Sequence, residues 1–231
     1  LGFLALLVAA IIFYFIYRIK MNRVKEIEKV RSIAAQDFHD ELGSKLSIIS
    51  LYSELSRNGF EKNDRQTPVY LQKVLDTSNS LYSSMKDLIW TMSPDKDSLL
   101  DLFIHLKDFG EELFNHSDIS FQSEGINNLL EEQSLPMDYK RHVMLIGKEA
   151  MNNCLKHAQC QQVELKVALH KSTLMMEIKD NGKGMNGSAN GKGDGLKNMN
   201  SRANKINSKL LIDSSEEGTS IKLICPMAIT N

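Results

Sequence analysis

The chain has 231 residues, of which 42% are hydrophobic and 25% charged, ordinary globular proportions that exclude global disorder. Its formal net charge of -1 lacks the basic excess of a nucleic-acid binder. Three scattered cysteines, Cys154, Cys160 and Cys225, are too few for a disulfide framework or a zinc site and read as reduced cytosolic thiols.

Residues 1–17, LGFLALLVAAIIFYFIY, contain no charge and no proline. As a helix they span about 25 Å, slightly short of a bilayer core of about 30 Å. The chain starts at Leu1 rather than Met, so the expectation is the back part of a longer protein with a clipped membrane helix. Arg18, Lys20, Arg23 and Lys25 follow directly. Basic residues beside a span favour the cytoplasmic side, which puts everything after Tyr17 inside the cell.

A long helical pattern occupies about 18–57. Val30, Ala34, Phe38, Leu42, Leu46 and Ile49 recur at three- and four-residue steps and form one apolar stripe. Asn58-Gly59 is expected to end it. Thr67-Pro68 reads as a helix start, with Thr as cap and Pro in the first turn. The second helix runs to about Ser93-Pro94 with Leu71, Val74, Leu75, Leu81, Tyr82, Met85, Leu88 and Ile89 on its apolar side. One helical hairpin cannot bury both stripes, so pairing with a second copy into a four-helix bundle is expected.

The texture changes from residue 99. A helix is expected at Leu99–Asn115, a short strand at Ile119–Gln122 and a strong helix at Pro136–Ala158. Val163, Leu165, Val167 and Leu169 alternate with polar residues, a half-buried strand, and Leu174–Lys179 is the next. Residues 180–195 carry six glycines. A helix at about 195–206 and strands near 209–213 and 219–225 complete the chain. Mixed helices and strands without regular βαβ alternation indicate an α+β layer sandwich, and the boundary between the two parts is expected near Pro94–Ser98.

Several clusters carry chemistry. In Phe38-His39-Asp40-Glu41-Leu42-Gly43, His39 falls beside the apolar stripe on a face shared with Ser32, Gln36, Gly43 and Ser47. An exposed imidazole there is a candidate nucleophile, and Asp40 is the carboxylate that would take the proton and orient the ring. In the helix through 148–158, Glu149, Asn153 and His157 are spaced by four and line one face, with Asn152 and Lys156 in the adjacent row. A carboxylate, an amide and cations in rows suit a Mg²⁺-triphosphate. Met151, Cys154 and Ala158 occupy the other face, where core is expected. Asp180-Asn181-Gly182-Lys183-Gly184-Met185 follows a strand, and Gly191-Lys192-Gly193-Asp194-Gly195-Leu196 leads into a helix. Glycines let the backbone approach a ligand, and a helix N-terminus attracts phosphate. Neither segment is a Rossmann fingerprint or a Walker A loop.

In this order the elements resemble the sensor histidine kinases of two-component signalling, over residues 1 to about 226. The helix with Glu149 to Ala158 looks like their N-box, Asp180–Gly184 and Gly191–Leu196 like their two glycine boxes, and Gly218-Thr219 like the closing Gly-Thr before the last strand. Together these resemble the ATP-binding fold shared with gyrase and MutL-type ATPases. The segment from Phe38 to Gly43, with Ile89-Trp90 and Pro94, resembles the subfamily of nitrate and membrane-fluidity sensors.

The resemblance implies that His39 accepts a phosphoryl group from ATP, with Asp40 as base and orienter. It implies that Asn153 binds Mg²⁺, that Glu149 polarises the attacking group or a metal-bound water, that Lys156 and His157 contact the phosphates, and that Asn152 beside them belongs to the cofactor site. Asp180 would accept the adenine amino group. Gly182, Gly184, Gly193 and Gly195 would shape the lid, Leu196 would join the cofactor site, and Thr219 would support the adenine pocket. Two positions depart from the subfamily pattern: Ser44 stands where a Gln is common, and Asn207-Ser208 where a Gly-Gly-like pair is usual. The expected organisation is a membrane helix at 1–17, a dimerisation and phosphotransfer hairpin at 18–94, and an ATP-binding domain at 95–231. The expected assembly is a homodimer in the inner (plasma) membrane with its catalytic part cytoplasmic, acting on a response regulator receiver domain and on no nucleic acid. The rival readings are a gyrase-type ATPase with His39 incidental and a non-enzymatic dimeric membrane scaffold.

Overall fold

The computed structural model describes residues 2–61, 64–93, 98–133, 135–185 and 194–227; within these, the side chains of 4–10, 12, 19, 22–38, 40, 41, 61 and 194 fall outside the description. The chain divides into two compact units, Leu1–Met92 and Ser93–Asn231.

The first unit is a helical hairpin of α1 (Gly2–Glu61) and α2 (Thr67–Met92). Helix α1 is continuous and does not stop at Asn58-Gly59 as expected. Gly59 is buried, and a Cβ there would collide with Thr67 Oγ1, so this glycine serves the close approach of α2 rather than a break. Thr67 is not the cap either. Its hydroxyl donates to the Asp64 carbonyl at 2.8 Å, and the Gln66 carbonyl accepts the first helical bond from Tyr70 N at 3.1 Å.

The two helices meet along Leu42, Lys45, Ile49, Tyr52 and Ser56 on α1 and along Tyr70, Val74, Leu81, Ser84 and Leu88 on α2. Lys45 Nζ donates to Ser84 Oγ at 2.7 Å, and the Tyr52 and Tyr70 rings lie 6.0 Å apart. A second apolar row, Leu71, Leu75, Tyr82, Met85 and Ile89, recurs at steps of four, seven, three and four residues on α2 and is exposed, as are Leu46, Ile48 and Leu51 on α1. Among the described residues no helix is long and apolar enough to cross a membrane. The span expected at 1–17 falls largely on residue 1 and on the side chains of 4–10 and 12, which lie outside the described residues.

The second unit is an α+β sandwich. Its elements are α3 (Leu99–Phe114), β1 (Ser120–Glu124), α4 (Met137–Asn153), β2 (Gln162–His170), β3 (Thr173–Asp180), α5 (Asp194–Lys205), β4 (Lys209–Ser215) and β5 (Gly218–Pro226). Ser98 caps α3, accepting from Asp101 N at 3.0 Å while the Asp101 carboxylate reaches back to the Ser98 amide, a reciprocal capping box. The sheet order is β1-β2-β3-β5-β4, with β1 parallel to β2 and the other pairs antiparallel.

Period-2 alternation sends Val163, Leu165, Val167, Leu174, Met176, Ile178, Ile221, Leu223 and Cys225 into the core. Leu102, Phe103 and Leu106 of α3, Val143, Met144, Ile146 and Met151 of α4, and Met199 and Ala203 of α5 are buried with them. The intervening strand positions carry Glu164, Lys166, Glu177, Lys179 and Lys222 along with Ala168, Met175, Leu211 and Ile224, so the other face of the sheet is mixed, with charged residues at its centre. Gly147 lets α4 close on Leu106 and Met176, which a Cβ would crowd.

Candidate functional site

Helix α4 does not run on as an α-helix to Ala158. From Cys154 to Ala158 it widens into one π turn, and Gln159 then adopts a left-handed φ of 53°. Single π turns often mark functional sites because they re-aim side chains within a helix. Here the turn ends on the first glycine-rich segment: Lys183 N donates to the Ala158 carbonyl at 2.9 Å, and a Cβ on Gly182 would collide with that same oxygen. Asn181 Oδ1 accepts from both Gln161 N and Gln162 N at 2.9 Å, which holds the entry to β2 against the end of β3.

The side chains of α4 and the π turn, the end of β3, the start of α5 and the start of β5 enclose a cavity of about 400 Å³. Glu149, Asn152, Asn153, Lys156, His157, Asp180, Gly184, Gly195, Leu196 and Thr219 all line it. Sequence positions from 149 to 219 thus converge on one place. Gly182 contributes its backbone N–H from beneath, and Gly193 lies outside the described residues. Met151 stays in the core as expected, but Cys154 and Ala158 are buried and border the cavity as well.

Asp180 is the most constrained polar group of the site, at 4% exposure. Its Oδ1 accepts from Gly182 N at 2.9 Å and from Thr219 N at 3.3 Å, while the Cys154 thiol donates to Oδ2 over 3.7 Å. Gly218 permits this approach: its φ of 129° is open to glycine, and a Cβ would collide with the Asp180 carbonyl. Burial, with the Asp180 carboxylate beside it, pushes the Cys154 thiol far above the usual range, so it stays protonated and remains a donor. Asn152 turns its amide back on its own helix, Nδ2 donating to the Lys148 carbonyl at 2.9 Å. Lys156 and His157 are exposed at the mouth. Gly195, in the first turn of α5, sits against Glu149, whose carboxylate a Cβ there would strike.

Chemically the cavity offers a fixed carboxylate acceptor on an apolar floor, a helix N-terminus, oxygen donors at Glu149 and Asn153, and two basic side chains. Ile178, Ile221, Ala150 and Met185 also line it. Sequence reasoning gave these no role, since the apolar character of Ile178, Ile221 and Ala150 reads as core and Met185 only closes the first glycine-rich segment. Only the positions of Ile178 two residues before Asp180 and of Ile221 two after Thr219 point the same way, since period 2 keeps them on that face.

His39 belongs to the other unit. It is exposed on α1, next to Gly43, where a Cβ would meet nothing within 4 Å in the protomer. The Asp40 side chain lies outside the described residues.

Two family models match this chain: a histidine kinase model over residues 31–97 and the histidine kinase-like ATPase domain over residues 122–224. Each of the two units thus carries a match to a histidine kinase model. Similar proteins include the sensor histidine kinase DesK of Bacillus subtilis, 29% identical over 89% of this chain and 54% of its own length. A NarQ homolog of Haemophilus influenzae is 25% identical over 92% of this chain and 38% of its own length. VraS of Staphylococcus saprophyticus is 27% identical over 91% of this chain and 60% of its own length. The chain thus spans between 38% and 60% of the length of those relatives. Among solved structures, the kinase domain of the Erythrobacter litoralis EL346 blue-light activated histidine kinase aligns with a TM-score of 0.53 at 15% identity, over 77% of this chain and 94% of its own. Acinetobacter baumannii AdeS aligns with a TM-score of 0.53 at 11% identity, over 83% of this chain and 98% of its own. At such identities these structures speak for the fold alone.

Proposed function

We propose that this chain is the kinase portion of a two-component sensor, which transfers the γ-phosphoryl group of ATP to His39 and then to an aspartate of a response regulator receiver domain. The observation that carries the reading is the buried Asp180 carboxylate, held by two backbone amides on the floor of a cavity whose mouth bears Lys156 and His157. An acceptor fixed in an apolar floor suits the exocyclic amine of adenine, and a basic mouth with the start of α5 suits a triphosphate.

Asp180 selects the base, and Thr219 and Met185 border it. Lys156, His157 and the amides at Gly195 and Leu196 bind and orient the phosphates. Glu149 and Asn153 are the oxygen donors that would hold Mg²⁺, and their small number fits an ion that is bound largely through phosphates and water. When bound, the ion neutralises charge on the phosphates. In the transfer a ring nitrogen of His39 bonds to the γ-phosphorus as the bond to the leaving ADP oxygen breaks, and Asp40 takes the ring proton. The second transfer returns the group from nitrogen to a carboxylate oxygen.

Residues 18–94 would form the dimerisation and phosphotransfer hairpin and 95–231 the ATP-binding domain. The exposed row on α2 supports a homodimer, because a second copy would bury it in a four-helix bundle. Phe13, at 71% exposure, and Tyr14, Phe15, Ile16 and Tyr17 stand out on every side of α1, which supports a membrane helix at 1–17 followed by the cytoplasmic Arg18 and Lys20.

The test is incubation of the full chain, in detergent micelles, with γ-labelled Mg-ATP. The expected product is an acid-labile, base-stable label that is absent from His39→Gln, while that variant binds ATP like the parent. Nucleotide hydrolysis without protein label would favour the gyrase-type ATPase reading, and absence of nucleotide binding would favour the scaffold.

A further inference from the structure

The start of the glycine-rich segment is held by a side chain that the motifs do not contain. Ser214 lies on β4, registered against Thr219 on β5 beside the turn at Glu216-Glu217. Its Oγ accepts from Met185 N at 2.7 Å, across 29 positions of sequence. The same oxygen stands 3.3 Å from Thr219 Oγ1. Thr219 N in turn donates to Asp180 Oδ1. A continuous polar chain therefore runs from Met185 through Ser214 and Thr219 to the carboxylate on the cavity floor.

We propose that Ser214 is a positioning residue, which ties the stem of the glycine-rich segment to the nucleotide cavity and so sets how tightly ATP is held. The assignment rests on the functional reading above. A hydroxyl can accept one hydrogen bond and donate another, so serine serves Met185 and Thr219 at once, and alanine serves neither. The backbone around Met185 has a second constraint. Gly184, at a φ of 65°, lies so close to β4 that a Cβ would collide with the Ser215 carbonyl. That contact survives removal of the Ser214 hydroxyl. Ser214 is also exposed, so its loss should not unfold the sandwich. What it restrains is Met185, and Met185 and Gly184 both border the cavity. The expected consequence is thus on nucleotide affinity.

The experiment compares Ser214→Ala and Ser214→Thr with the parent in the full chain, reading autophosphorylation against ATP concentration. A neutral hydrogen bond is worth roughly threefold to tenfold in an equilibrium. Ser214→Ala should raise KM for ATP by about that factor, with kcat within about twofold and the melting temperature without nucleotide unchanged. Ser214→Thr, which keeps the hydroxyl, should stay within about twofold of the parent in KM. Thr219→Ala combined with Ser214→Ala should lose less than the product of the single losses, because both break one chain. An unchanged KM in Ser214→Ala would overturn the assignment, as would an equal loss in Ser214→Thr. A parent chain that binds no ATP would overturn the functional reading itself, and that is seen before any variant is compared.

Discussion

In the sandwich unit, Val163, Leu165 and Val167 of β2 and Leu174, Met176 and Ile178 of β3 are all buried within a single protomer. On the hairpin, residues with the same apolar character and equally regular spacing stand open: Leu75 is 53% exposed, Tyr82 67% and Ile89 65%. The difference follows from geometry. A sheet covered by three helices closes its own core, because every inward position meets another element. Two helices share only one line of contact, which here is already taken by Leu42, Ile49, Val74 and Leu81, with Lys45 and Ser84 bridging it. A second stripe has no element of the same hairpin to cover it. A periodic apolar row thus reports that burial is needed and leaves open whether the same chain supplies the cover.

Charged substitutions separate the two cases. Leu165→Asp buries an unpaired carboxylate in the sandwich and is expected to unfold that unit, since such burial costs several kcal/mol. Leu75→Asp loses no intraprotomer burial of that kind, and its effect should appear as a shift from dimer to monomer in sedimentation while helical content persists. A Leu75→Asp chain that sediments like the parent would break the contrast. Next in size is Asp180→Asn. An amide at this position can present a donor where the adenine amine also donates, and an unsatisfied buried polar group costs about 1–3 kcal/mol. ATP should bind roughly tenfold to a hundredfold more weakly in calorimetric titration, with the dimer unaffected.

The smallest effect concerns acid sensitivity, which should lie on the sandwich side. His142 of α4 is buried, and that burial lowers its pKa from 6.5 to about 4, against the opposing pull of Asp138. Arg202, Arg141 and Lys205 push in the same direction as burial. The ring is therefore neutral at pH 7, and its 3.2 Å contact from Nε2 to Asp138 Oδ1 is a hydrogen bond in which the ring N–H donates. Between pH 6.5 and about 4 the unfolded chain binds the proton and the folded chain does not, so stability falls as pH is lowered through that window. Chemical denaturation at pH 7 and pH 5 should show the loss, and His142→Gln should lessen it. Equal pH dependence in parent and variant would assign the loss to other groups.

Local chemistry determined much of this protein from sequence alone. Three- and four-residue apolar steps specify α1 and α2, alternation specifies β2 and β3, and the glycines at 182, 184, 195 and 218 specify where backbone must come close to something. Asn207, where the resemblance leads one to expect glycine, adopts a left-handed φ of 50° that asparagine tolerates, so the turn survives the substitution. What the glycines approach was decided by tertiary structure: the Ala158 carbonyl, the Ser215 carbonyl, the Glu149 carboxylate and the Asp180 carbonyl. The same is true of the passage of α1 through Asn58-Gly59, where contact with Thr67 outweighs the local tendency of that dipeptide to break a helix. It is true again of the π turn, and of Ser214 meeting Met185 and Asp180 meeting Thr219. Propensity and periodicity act over a few residues, whereas these contacts join positions 29 and 39 apart and exist only once the sheet has brought β3, β4 and β5 side by side.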